Sequence, residues 1–230
     1  MTDSLASRLA ALQERIRTAA LVAGREPTSI RLLAVSKTQP ATTIQQAFDA
    51  GLRAFGENYV QEALAKQPQL PAEIEWHCIG PLQSNKSKPV AEHFAWCQSV
   101  DSRKLAERLA RQRPAGMAPL QVCIQLKIGD EDSKSGIAVG EAAALADAIA
   151  TLPALRLRGV MTIPPPSDDV SQQRRWFAEA RHCFEQLQRA HPGLDTLSMG
   201  MSADLEAAIA EGSTLIRVGT ALFGARAKKA

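Results

Sequence analysis

Lys37 closes the run LLAVSK, and a lysine carried by apolar residues into a partly dehydrated mouth loses solvation. Desolvation favours the neutral amine, the nucleophile that condenses with an aldehyde to give an imine. A lysine whose stem lies along a rim with its ammonium in water is the competing reading. Far downstream, SMGMS and RVGTALFG each join an apolar run to a helical stretch through a glycine. Glycine lets backbone N–H groups approach an anion, and Ser202 and Thr220 can add hydroxyls at helix starts, where the dipole favours negative charge. An amine and an anion cup together suit an aldehyde that carries a phosphate.

Arg217 stands two residues before Gly219 and would enter the same mouth. A guanidinium cannot accept a proton. Opposite a pyridine nitrogen it would keep that nitrogen unprotonated and weaken the ring as an electron sink. A fixed ion pair with Glu57 is the other role open to it.

Positioning these groups requires a repeating scaffold, and the sequence supplies one. From Ile30 onward, IRLLAVS, RAFG, IEWHCIG, FAWCQSV, LQVCIQLKI, LRLRGVMTI, TLSMG and TLIRVG read as eight candidate strands. Between them lie helical patterns at Pro40 to Ala50, Asn58 to Lys66, Lys86 to His93, Ser102 to Arg111, Val139 to Thr151, Val170 to Arg189 and Ala203 to Glu211. Each is long enough to cross over a sheet and return parallel. Residues 3 to 23 form an opening helix with Asp3 or Ser4 as its cap. The expectation is α/β: a single (β/α)8 TIM barrel over residues 1–230, with an additional N-terminal helix. Pro164-Pro165-Pro166-Ser-Asp-Asp is then a long loop inside the barrel and no domain linker. In such a fold the C-terminal ends of strands carry the chemistry, and loops after strands seven and eight frequently cradle phosphate.

Composition narrows the function class. The 230 residues are 45% hydrophobic and 22% charged, which suffices for a core without disulfide or metal staples. Lys plus Arg number 27 against 24 Asp plus Glu, and the net +3 is spread along the chain, a weak argument for nucleic acid. No apolar run reaches a membrane span, and the N-terminus lacks a signal-peptide core, so a cytoplasmic protein without membrane partners is expected. Cys78, Cys97, Cys123 and Cys183 form no CxxC pair and read as buried thiols. His93, His182 and His191 show no ligand spacing and are expected on the surface or at caps. No metal site is indicated.

VSKT, FGENYVQE, EWHCIGPLQSNK, DEDSKSGI, LRGVMTIP and LSMGMSADLEAAIAEGSTLIRVGTALFGAR, in this order from about Leu32 to Arg226, resemble the pyridoxal phosphate homeostasis proteins, also called the YggS or PROSC family. The resemblance implies a barrel like the N-terminal domain of alanine racemase, with pyridoxal 5'-phosphate (PLP) held as an aldimine on Lys37. It also implies that Ser202, beside Met201, and the backbone at Gly219 and Thr220 hold the phosphate. Arg217 would face the pyridine nitrogen, and Asn58 and His77 would line the pocket near the ring. Cys78, where relatives often carry an aromatic residue, departs from the pattern and bears on packing.

The family is regarded as a carrier or buffer in PLP (vitamin B6) homeostasis without an established catalytic reaction. Two-base racemization needs an acid/base on each face of the ligand. Racemases of this kind draw the second from a tyrosine in an appended domain, whereas this chain ends soon after RVGTALFGAR and holds a single tyrosine, Tyr59. Tyr59 is either a pocket residue or a packed aromatic. The first expectation is a PLP-binding monomer that passes PLP on, with apo forms of PLP-dependent enzymes as recipients. The alternatives are a weak PLP-dependent racemase-like enzyme and a cofactor-free Schiff-base aldolase using Lys37. Lys134, in the charged loop Asp130 to Lys134, and the tail Lys228 and Lys229 are solvated ends by default, with attraction of a phosphate as a second role.

Overall fold

Short runs rich in Val, Ile and Leu become strands, and the amphipathic stretches between them return over the outside. In the computed structural model, which describes residues 4–129 and 135–224, the strands are β1 (Arg31–Val35), β2 (Ala54–Glu57), β3 (Glu75–Cys78), β4 (Trp96–Val100), β5 (Leu120–Leu126), β6 (Leu155–Thr162), β7 (Thr196–Ser198) and β8 (Leu215–Val218). All pair in parallel, in chain order, and β8 pairs back onto β1 to close the barrel. The helices are α1 (Leu5–Val22), α2 (Ala41–Asp49), α3 (Val60–Lys66), α4 (Ser87–His93), α5 (Arg103–Gln112), α6 (Ala142–Ala150), α7 (Val170–Ala190), α8 (Leu205–Ala210) and α9 (Thr220–Phe223). The barrel with an added N-terminal helix is thus the observed architecture.

Helix positions follow local chemistry. Of the two expected caps, Ser4 caps α1 by accepting from Ser7 N–H at 3.1 Å, and Asp3 lies outside the described residues. Ser102 caps α5 in the same way, accepting from Leu105 N–H. One face of α5 then buries Leu105, Ala106 and Leu109 against the barrel, each leucine contributing roughly 1.5–3 kcal/mol of transfer free energy. The α1 helix packs on α8 and α9, the helices on either side of β8: Arg8 Nε donates to the Leu222 carbonyl on α9, and Arg15 pairs with Glu206 on α8.

Alternation along the strands separates two packed layers. Ala34, Phe55, Cys78, Cys97 and Ile216 join the large cluster between barrel and helices. Their neighbours Leu33, Ile79 and Leu215 form a separate inward cluster, and Trp96, Cys123 and Met161 another. The four cysteines are buried and free. His191 ends α7 and meets Asp147 at 3.0 Å, and His182 meets Gln186 on the same helix. Among the described residues, no helix is long and apolar enough to cross a membrane, and no His, Cys, Asp and Glu cluster has metal-binding geometry. Lys134, Lys228 and Lys229 lie outside the described residues.

Candidate functional site

Closure of the ring sets the geometry of the mouth. Leu33 stands in register with Arg217 and Ala34 with Val218, so the segments leaving β1 and β8 are neighbours. Lys37 follows the end of β1 by two residues, and Gly219 follows β8 directly, with Val35 in van der Waals range of a Cβ placed at Gly219. Between them opens a cavity of about 260 Å³. Lys37, Asn58, Met201, Ser202, Arg217, Gly219 and Thr220 all contribute to its wall.

The anion side of this wall is made by two loops. Ser202 Oγ accepts from Ala221 N–H at 3.3 Å, joining the β7–α8 loop to the start of α9. Asp204 Oδ1 accepts from Met201 N–H at 2.6 Å and tightens the first loop on itself. Gly200 precedes this loop at φ +92°, and a Cβ there would lie 2.5 Å from Ala208 Cβ, so only glycine fits without displacement. On the other side, Gly80 presses on Asn58: a Cβ on Gly80 would stand 2.3 Å from the Asn58 carbonyl oxygen. That close approach fixes the backbone from which Asn58 reaches the cavity.

Arg217 is fully inside the barrel, with only 3% of its surface exposed. Its Nη1 donates to Ser198 Oγ and its Nη2 to the Thr162 carbonyl, both at 2.8 Å. Burial lowers its pKa to about 10, which leaves it cationic at neutral pH. The expected alternative, an ion pair with Glu57, does not form. Glu57 points to the outer layer, one residue beyond the inward Gly56, where its Oε1 takes the Ser36 hydroxyl at 2.6 Å and the Lys66 ammonium at 3.0 Å. Burial pushes the Glu57 carboxyl upward despite these partners.

His77 is brought into the barrel but not into the cavity, which corrects the expectation that it lines the pocket. It is completely buried, stacked on Trp96 at 4.9 Å between ring centroids, and both ring nitrogens are engaged. Ile79, two residues on along the same face, takes the place in the wall. A polar string runs through the barrel from this point: Ser198 Oγ to Gln98 Oε1 at 2.7 Å, Gln98 Nε2 to His77 Nδ1 at 2.9 Å, and His77 Nε2 to Glu75 Oε1 at 2.8 Å. Arg31 Nη2 meets the same Glu75 oxygen at 2.6 Å. Arg217 can only donate and an ionised Glu75 can only accept, so every bond between them has one direction and His77 carries its proton on Nε2. Burial lowers the His77 pKa and keeps the ring neutral.

Several groups at strand ends are not in the cavity wall: Glu57, Asp101, Lys127 and Thr162. Tyr59 is 60% exposed, outside the cavity and unburied, so neither reading of it holds. Gln39, Ile79, Ile163 and Ala203 join the wall and were not picked out from sequence. Ile79 was discoverable, since it lies two residues beyond His77 in extended chain leaving β3, where side chains alternate with period two; Gln39 follows the turn at Thr38 and no strand period reaches it.

The fold and the site place the protein in a defined class: the family model of the alanine racemase N-terminal domain matches residues 7–227. Alanine racemase from Corynebacterium glutamicum superposes with a TM-score of 0.67 at 17% identity, over 95% of this chain and 62% of its own, a likeness of fold. Much nearer in sequence is the pyridoxal phosphate homeostasis protein of Pseudomonas aeruginosa, 55% identical over 97% of this chain and 96% of its own. That of Escherichia coli K12 is 52% identical, over 97% of both. The chain belongs to the family of pyridoxal phosphate homeostasis proteins. PipY of Synechococcus elongatus, solved with PLP bound, is 41% identical with a TM-score of 0.84, over 96% of this chain and 100% of its own. The relatives from Pseudomonas aeruginosa and Escherichia coli are named for homeostasis and not for a reaction.

Proposed function

We propose that this protein holds PLP on Lys37 and serves as a carrier and buffer of that cofactor. The observation that carries the reading is the convergence of Lys37 with Ser202, Gly219, Thr220 and Arg217 on one cavity. PLP supplies an aldehyde there. Lys37, in its neutral form, would condense with that aldehyde with loss of one water, and either hydrolysis or exchange with another primary amine would release it. Ser202 and the first residues of α9 suit a phosphate, and Arg217 suits a pyridine nitrogen that must accept a hydrogen bond. The names of the relatives and the PLP-bound PipY support the same assignment.

The cavity argues for retention over turnover. Among its described lining residues, Lys37 and Arg217 are the titratable side chains. The one tyrosine of the chain stands outside, so a second acid/base for racemization is missing from the wall. Facing a pyridine nitrogen, Arg217 would leave it unprotonated, which would weaken the ring as a sink for a carbanion. We place the protein in the cytoplasm, as one PLP-binding unit of 230 residues that acts as a monomer and delivers PLP to apo-enzymes.

The test is borohydride reduction of PLP-loaded protein followed by peptide mapping, beside transfer to an apo-enzyme and an amino-acid turnover screen. The adduct is expected on Lys37, with transfer and no turnover. An adduct on another lysine overturns the assignment, and turnover abolished by Lys37→Ala makes the protein a racemase-like enzyme. Protein that takes up no PLP yet forms an imine with a phosphorylated sugar is an aldolase.

A further inference from the structure

The peptide that carries Lys37 is gripped on both sides from outside the barrel. On its N-terminal side, the Ser36 carbonyl accepts from Lys66 Nζ at 3.1 Å, and the Ser36 hydroxyl donates to the Glu57 oxygen that also meets Lys66. On its C-terminal side, Thr38 N–H donates to Glu62 Oε1 at 2.6 Å, and Glu62 pairs with the same Lys66 ammonium at 2.5 Å. One ammonium, only 9% exposed, therefore ties residue 36 and residue 38 together across the reactive lysine.

Two further observations separate this cluster from an ordinary ion pair. Thr38 lies at φ +66°, the one non-glycine residue in the left-handed region among the described residues. A β-branched residue persists there only when its surroundings over-determine it, and such strain collects at functional sites. Glu57 also keeps one buried carboxylate oxygen, Oε2, without a hydrogen-bond partner. A buried ion pair of this kind adds little stability over apolar packing, so what it supplies is a fixed geometry.

We propose that Lys66, with Glu62 as its arm, is a positioning residue for Lys37. It fixes the backbone on both flanks of the amine, and thereby sets how fast an aldehyde is captured and how slowly it is released. A lysine side chain has four rotatable bonds, so the direction in which it leaves the backbone decides how often its amine meets the carbonyl. This proposal rests on Lys37 being the residue that bonds the ligand.

The test uses the full chain, with PLP and its alcohol counterpart pyridoxine 5'-phosphate, which shares ring and phosphate but forms no imine. Glu62→Ala removes the Thr38 acceptor at a half-exposed position, and Glu62→Gln keeps it. Glu57→Gln/Lys66→Met removes the ammonium without stranding a buried charge, a safeguard should Lys66→Met alone fail to fold. Glu62→Ala and the double variant are expected to slow imine formation and speed release by on the order of tenfold. Glu62→Gln should recover most of the loss, and alcohol affinity should not change. Equal loss of both ligands, or unchanged rates for PLP, overturns the role of Lys66. Wild-type protein that forms no imine on Lys37 instead overturns the carrier reading.

Discussion

Arg217 Nη1 donates to Ser198 Oγ at 2.8 Å in the sealed interior of the barrel, and this bond connects the cavity floor to a polar string that ends at Glu75. A guanidinium at the floor is held by oxygen atoms alone, the Ser198 hydroxyl and the Thr162 carbonyl. Each bond of the string has one direction, and Ser198, Gln98 and His77 each accept from one side and donate to the other, so loss of any one leaves buried donors or acceptors unmatched.

Gln98→Leu is expected to destabilise the fold by about 1–3 kcal/mol, because Ser198 and His77 each lose a buried partner. Chemical denaturation measures the cost. PLP affinity should fall with it, since Arg217 loses the acceptor chain that orders Ser198. A variant as stable as wild type would mean that the string does no structural work.

Glu75 supplies the pH dependence. Burial alone would raise its carboxyl, but the His77 N–H and the Arg31 guanidinium outweigh this and hold it below the usual carboxylate range. A group with a depressed folded pKa contributes stability that is present above its unfolded value, about 4.3, and lost as the pH falls through the folded one. The melting temperature of wild type should therefore fall more steeply below about pH 4 than that of Glu75→Gln. Parallel curves would remove Glu75 as the cause.

Gly200→Ala should be severe for its size. The backbone there is left-handed and the added carbon meets Ala208 at 2.5 Å, so about 1–3 kcal/mol of strain is expected. The displacement runs into the Met201–Ser202 loop, and PLP affinity should drop together with thermal stability. Retention of both would show that α8 yields without cost.

Ser202→Ala tests the anion side. The hydroxyl is half-buried and also caps Ala221 N–H, so its loss should leave the fold intact while weakening PLP binding by about tenfold, one hydrogen bond to a charged group. Pyridoxal, which lacks the phosphate, should bind both proteins equally in a competition assay. An equal loss for pyridoxal would place Ser202 away from the phosphate.

Lys37→Ala separates chemistry from folding. Lys37 is half-buried at the end of a strand, so the melting temperature should stay near that of wild type while borohydride fixes no PLP. Label retained elsewhere would identify a different lysine.

Most of this protein could be read along the chain. The eight strands appear where the apolar runs are, and the helices within two or three residues of their patterns, because period-two and helical spacing are local properties. Lys37, Ser202, Arg217, Gly219 and Thr220 were legible from their positions after strand runs, since the barrel gathers strand ends at one face, whereas Asn58 and Met201 entered through the family resemblance; all seven line the cavity. The start of α9 at Thr220 was legible after RVG, but its end at Phe223 was not, because four residues are too short to show a period.

What the linear order left open was decided by closure and alternation. His77 and Ile79 share a face of β3, and only the depth of each layer in the barrel puts Ile79 in the wall and leaves His77 beneath it. Arg217 and Glu57 were plausible partners as isolated charges. The pleat turns Arg217 inward and Glu57 outward, so each met other groups: Arg217 met Ser198, and Glu57 met Lys66. Residue types fix which chemistry is available, but which groups meet depends on distances that exist only once the first strand has paired with the eighth.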